Sequence, residues 1–196
     1  MTAKIKAIRE FTWATLPSAA VYSGQIIHIS DIGINGSNWK SNGSKWRPLG
    51  EIVLASSATA VTVAYPVTAK TVLGTASIPA GLLNIPGATL TVEPLFSMNF
   101  SLYSHGLKVE LNTKSFGSAA GSSATTAFMV TTIHTRTAAT QYGKNITITS
   151  AGSVSAITAN GTEDLTAAST LNISATLTNN AGETATLDAW TLRFRA

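Results

Sequence analysis

Asn35-Gly36-Ser37-Asn38-Trp39 is echoed, after Lys40 and Ser41, by Asn42-Gly43-Ser44-Lys45-Trp46. Asn-Gly is the strongest two-residue hairpin signal, because both residues tolerate the positive φ angles that a type I′ turn requires. With each Asn-Gly pair as a two-residue turn, register follows by counting. Across the first turn Ile34 faces Ser37, Ile32 faces Trp39 and Asp31 faces Lys40; across the second, Ser41 faces Ser44, Lys40 faces Lys45 and Trp39 faces Trp46. The reading is a three-strand β-meander with Ile32, Trp39 and Trp46 in a row on one face and Asp31, Lys40 and Lys45 on the other. Such a meander needs a partner to bury its indoles, and Trp13, Leu16, Val21, Leu49 and Ile52 flank it in sequence.

Alternation at period two continues outward to the end of the chain. Val61, Val63, Tyr65 and Val67 alternate with Thr62, Ala64, Pro66 and Thr68. Leu107, Val109 and Leu111, Ile146 and Ile148, Leu171, Ile173, Ala175 and Leu177, and Trp190, Leu192 and Phe194 do the same. Glycine and Asn-Gly punctuation separates these runs, and no stretch carries a clean helical period. Many short strands of this kind predict an all-β fold, a jelly-roll-like antiparallel β-sandwich. The expected division is 1–50, an N-terminal arm and the tryptophan-bearing meander, and 51–196, the sandwich domain. The small, polar stretch from Gly117 to Thr126 reads as a strand connection, with a contact loop as the alternative.

Charged residues are 11% of the 196, well below the roughly one quarter of an average soluble domain. A chain so poor in charge is expected to cover much of its surface with partners. Cysteine is absent, which excludes disulfides and thiolate metal sites. The net charge of +4 is uneven: Lys4, Lys6, Arg9, Lys40, Lys45 and Arg47 precede residue 51 against Glu10 and Asp31, whereas Glu163, Asp164, Glu183 and Asp188 outnumber Arg193 and Arg195 after residue 150. No basic stripe or basic-aromatic motif points to nucleic acid. Lys4, Lys6, Arg9 and Glu10 occupy the place where a secretory leader would be apolar, and no apolar run is long enough for membrane insertion.

Three segments, 12–20 (Thr-Trp-Ala-Thr-Leu-Pro-Ser-Ala-Ala), 23–33 (Ser-Gly-Gln-Ile-Ile-His-Ile-Ser-Asp-Ile-Gly) and 39–48 (Trp-Lys-Ser-Asn-Gly-Ser-Lys-Trp-Arg-Pro), together resemble a module of tailed-bacteriophage structural and fibre proteins. Residues 78–83, 171–177 and 181–192 resemble the remainder of the same proteins. The resemblance implies a virion protein, a homotrimer with a jelly-roll-like body, assembled in the host bacterial cytoplasm. It brings no catalytic residue. Asn42 stands where Asp is expected before Gly43, a change that keeps the turn chemistry.

The residues themselves offer little chemistry. His28, His105 and His134 are far apart, and no metal-ligand spacing accompanies them. Gly117-Ser-Ala-Ala-Gly121 has alanine where a nucleophile elbow needs serine. Glu163 and Asp164, the one adjacent acidic pair, sit beside Asn160-Gly161 and read as a solvated turn rather than a glycosidase pair. The expectation is therefore a protein that is not an enzyme, has no cofactor and binds no metal. It decorates or stabilises a phage capsid, with the major capsid protein or tail proteins as partners. Lys4, Lys6 and Arg9 are the candidate attachment residues. The alternative is a tail-fibre protein that contacts host-surface glycan, for which Trp39 and Trp46 would be a sugar-stacking platform instead of meander core.

Overall fold

The computed structural model describes residues 8–99, 105–121, 126–150, 154–177 and 182–196. In chain order these form β1 (Arg9–Phe11), the 3-10 turn η1 (Trp13–Thr15), β2 (Ile26–Ile29), β3 (Ser37–Ser41), β4 (Trp46–Pro48), β5 (Ile52–Ser57), β6 (Val61–Ala64) and β7 (Val67–Ile78). The 3-10 turn η2 (Leu82–Asn84) leads into β8 (Thr89–Asn99), β9 (His105–Leu111), β10 (Lys114–Gly121), β11 (Thr126–Thr137), β12 (Thr140–Thr149), β13 (Val154–Gly161), β14 (Ser169–Leu177) and β15 (Thr184–Arg195). Among the described residues there is no α-helix.

Two antiparallel sheets form the body. One runs β13-β12-β11-β8-β15-β5, with β6 also paired to β15; the other runs β10-β9-β14-β7. Since β5 and β6 both pair with β15, they count as one interrupted strand. With the β12–β13 hairpin set aside as an extension, successive strands then fall into the orders β5/β6-β15-β8-β11 and β7-β14-β9-β10. That is the strand order of a jelly roll, so the fold is an all-β, jelly-roll-like antiparallel sandwich. Alternation decides which side chains meet between the sheets: Leu90, Val92, Phe96 and Met98 on β8 and Ala185, Leu187, Leu192 and Phe194 on β15 are buried, as are Leu107, Val109 and Leu111 on β9 and Leu171, Ile173, Ala175 and Leu177 on β14.

One buried polar cluster interrupts this core. Thr131 Oγ1 donates to Asn145 Oδ1 at 2.9 Å, while Asn145 Nδ2 donates to Thr147 Oγ1 at 3.0 Å and to the Ser118 carbonyl at 3.2 Å. Every hydrogen bond here ties the β11–β12 pair to itself or to β10, so the cluster also selects how β10 crosses that pair.

The N-terminal sheet has four strands, in the order β1-β2-β3-β4, with β1 parallel to β2. This corrects the expected three-strand meander, and its register differs as well. Residues 30–36 form a wide connection, so Trp39 pairs with Ile27, not Ile32. Tertiary contacts override the hairpin preference of Asn35-Gly36. Asp31 Oδ1 accepts the Trp13 backbone N–H at 2.7 Å, the Ile34 N–H reaches the Val53 carbonyl at 3.0 Å, and Ile32 is fully buried.

At the second turn Ser41 pairs with Trp46, Lys40 with Arg47 and Trp39 with Pro48. The slip from the expected register is two residues, and because strand faces alternate with period two it leaves Trp39 and Trp46 on the same side. Lys40 still faces a cation, Arg47 in place of Lys45, and Asp31 is not part of the row.

The Gly117–Thr126 stretch also differs from expectation. Residues 117–121 are part of β10, and residues 122–125 lie outside the described residues. A Cβ on Gly117 would overlap Thr131 Oγ1, so glycine at this position answers to close packing between the sheets.

Candidate binding surfaces

Trp39 and Trp46 are buried, which places them in the core and withdraws them from any ligand. Alternation along β3 points Trp39 inward, where its ring lies 5.4 Å from that of Trp13 and stacks 6.1 Å from Phe194. Its indole N–H donates to Ser37 Oγ, which donates in turn to the Ile32 carbonyl, both at 2.8 Å. Trp46 donates to the Pro17 carbonyl at 2.9 Å and lies 6.1 Å from the Tyr22 ring. Trp13 clamps the sheet to the body through a 2.8 Å bond from its indole N–H to the Ala80 carbonyl. Val21 and Leu49, named as flanking candidates, are instead exposed.

Of the three basic attachment candidates, Lys4 and Lys6 lie outside the described residues. Arg9 sits on the edge strand β1, where it donates to Tyr22 Oη at 2.9 Å with its guanidinium carbon 5.6 Å from that ring's centroid. It is exposed but held in place from one side.

The sequence did not single out a groove on the outside of the N-terminal sheet. It has a volume of about 490 Å³ and is lined by Ser23, Gly24, Lys40, Ser41, Asn42, Arg47, Pro48 and Leu49. Two facts of register create it. β3 and β4 bring Lys40 opposite Arg47, and the Gly24 N–H bonds to the Ser41 carbonyl at 2.9 Å, which seats the 22–25 turn beside them. A second depression of about 400 Å³ lies between residues 34–38 and 49–53, and Leu49 lines both.

A third surface belongs to the body. On the outer side of the larger sheet, cross-strand pairing aligns Leu95 on β8, Phe128 on β11 and Ile148 on β12. These three are 40%, 38% and 48% exposed, with half-buried Val130 and Ile146 beside them. Strand alternation normally places polar residues there, so a row of three large apolar side chains on adjacent strands is a deviation.

The charged groups of the body are mostly engaged. Lys70 Nζ lies 3.0 Å from Glu110 Oε2, and Arg193 meets Glu51 through Nη1 and Glu93 through Nε, each at 3.1 Å; the second is an ion pair without an aligned hydrogen bond. Asp164 accepts from the Thr166 hydroxyl at 2.6 Å and backbone N–H at 2.9 Å, which holds its carboxyl below the ordinary carboxylate range. His28 contacts Asn38 and His134 contacts Thr89, and among the described residues no three histidines and carboxylates converge as a metal site.

No protein-family model matches the chain, and none of the curated proteins matches it. Solved structures give distant similarities. Lectin I-B4 from Griffonia simplicifolia in its metal-free form is 13% identical over 87% of this chain and 93% of the lectin, with a TM-score of 0.40. A structure of infectious bursal disease virus Gt strain is 14% identical over 86% of this chain and 38% of that chain, at 0.35. Peanut lectin with a nine-residue peptide is 11% identical over 95% of each chain, at 0.33. No role, ligand or partner is carried over from any of them.

Proposed function

We propose that this chain is a non-enzymatic structural protein of the bacteriophage virion surface that decorates or stabilises the capsid as a compact oligomer, a homotrimer. The observation that carries the reading is the exposed row Leu95, Phe128 and Ile148 on a jelly-roll face of a chain with only 11% charged residues. A rigid sheet that offers apolar side chains in register suits a neighbouring protein of the particle, because their burial is favourable and costs little ordering. A protein that binds the assembled shell and not its separated subunits stabilises the shell by mass action. The basic residues Lys4, Lys6 and Arg9 are the proposed anchor to the particle. The tail-fibre alternative loses its stacking platform with the burial of Trp39 and Trp46.

Immunogold electron microscopy of intact virions tests this reading. Label distributed over the head is expected; label confined to the tail, or absent from particles, would overturn it. In a reconstitution assay, Phe128→Glu combined with Ile148→Glu should abolish attachment to shells and leave the fold intact, since both side chains face outward.

A further inference from the structure

We infer that the groove on the N-terminal sheet binds a carboxylated saccharide, with the carboxylate held between Lys40 and Arg47. This inference is independent of where on the particle the protein resides.

Lys40 and Arg47 are directly opposed across β3 and β4, an arrangement that disfavours the sheet unless an anion lies between the charges. No carboxylate of the described residues serves. The ion pairs are Lys70 with Glu110 and Arg193 with Glu51 and Glu93, and no acidic side chain lines the groove. The Lys40 ammonium has no hydrogen-bond partner among the described residues. Arg47 spends one nitrogen on the Pro86 carbonyl at 3.3 Å and keeps the rest of its planar fork for a bidentate carboxylate contact.

The neutral groups are donors as well. Asn42 Oδ1 is consumed by the backbone N–H of Ser44 at 3.0 Å, that of Lys45 at 2.8 Å and the Ser44 hydroxyl at 3.0 Å. Its amide nitrogen remains unpartnered, as does the Ser23 hydroxyl nearby. Each of these free groups can donate, which suits a ligand rich in acceptors. Leu49, 53% exposed at the rim, adds an apolar surface for the C–H face of a sugar ring. A bare inorganic anion would use the two cations and leave Leu49 wet. A uronic acid uses all three features, and the groove's volume is in the range of small-ligand sites, roughly 300–1,000 Å³.

The test is isothermal titration of the full-length protein with trigalacturonate, its neutral counterpart galactotriose and inorganic phosphate. Saturable binding of trigalacturonate is expected, at least about tenfold tighter than either of the others and weakening with added salt. Lys40→Gln with Arg47→Gln should reduce it by about tenfold or more, the loss of two charge-assisted contacts. Leu49→Glu, which puts a negative charge at the rim without touching the cations, should also block it. Both variants alter exposed or half-exposed side chains, and unchanged urea midpoints would confirm their folding. The inference fails if trigalacturonate does not saturate, if galactotriose or phosphate binds as tightly, or if folded variants bind as the parent does.

Discussion

The ring of Phe116, on β10, fills the space that a Cβ on Gly143 of β12 would occupy, and the same ring closes over Gly161 of β13. Phe116 is buried, so the two glycines form a slot that lets one strand of the smaller sheet approach the β12–β13 extension of the larger. Gly143→Ala and Gly161→Ala should each destabilise by about 1–3 kcal/mol, the usual cost of overpacking. Phe116→Ala should cost about 3–5 kcal/mol from the cavity it leaves. The glycine and phenylalanine changes should be strongly non-additive in a double-mutant cycle, because the truncated ring makes room for the methyl group. Urea midpoints of the three single variants and one double variant measure this.

Trp39 joins the N-terminal sheet to the body through its stack on Phe194. Trp39→Ala should therefore lower stability by about 3–5 kcal/mol. Trp46→Phe keeps most of the ring volume and loses the bond to the Pro17 carbonyl, for an expected cost of about 1 kcal/mol. Chemical denaturation followed by far-UV circular dichroism separates the two. Equal, small losses would mean that the sheet is anchored elsewhere.

What the sequence disclosed and what it hid have a common physical origin. Period-two alternation reports which face of a strand is buried, so the cores of β9, β14 and β15 could be read from residues 107–111, 171–177 and 190–194 alone. It does not name a strand's partner, and for that reason the jelly-roll order was expected only as a class. In the N-terminal sheet, Asn42-Gly43 marked a turn without saying which flanking pair closes it. The two-residue slip left the tryptophans on the expected face but moved Arg47 opposite Lys40. The groove was invisible because it exists only in that register. Likewise Gly117 read as loop material, whereas its small size serves the contact with Thr131 and Asn145.

The turn after β3 depends on two residues for different reasons. Asn42 Oδ1 accepts the backbone N–H groups of Ser44 and Lys45, and Gly43 has φ of +89°. Asn42→Asp keeps the acceptor and should leave stability within about 0.5 kcal/mol, whereas Asn42→Ala strands both donors and should cost about 1 kcal/mol. Gly43→Ala should cost more than about 1 kcal/mol, since the left-handed conformation strains any side chain there. Thermal denaturation of the three variants provides the ranking, and a destabilised Asp variant would contradict the role assigned to Oδ1.

Asp164 gives the fold a dependence on acid. The Thr166 hydroxyl and N–H bind its charged form first and foremost, and the Ala167 backbone adds to this, so its folded pKa lies below the ordinary 3.8 that it regains on unfolding. The unfolded chain therefore takes up the proton more readily. The contribution of Asp164 is complete above that ordinary value and is lost as pH falls through the lower, folded value. Because the carboxylate is exposed, the effect is small and its sign is the test. Asp164→Asn retains an oxygen for the Thr166 N–H but no longer titrates. The difference in melting temperature between parent and variant should be constant from pH 7 to about 5 and should move against the parent only as the carboxylate protonates, about pH 4 and below. A difference that changes instead near neutral pH would assign the dependence to another group.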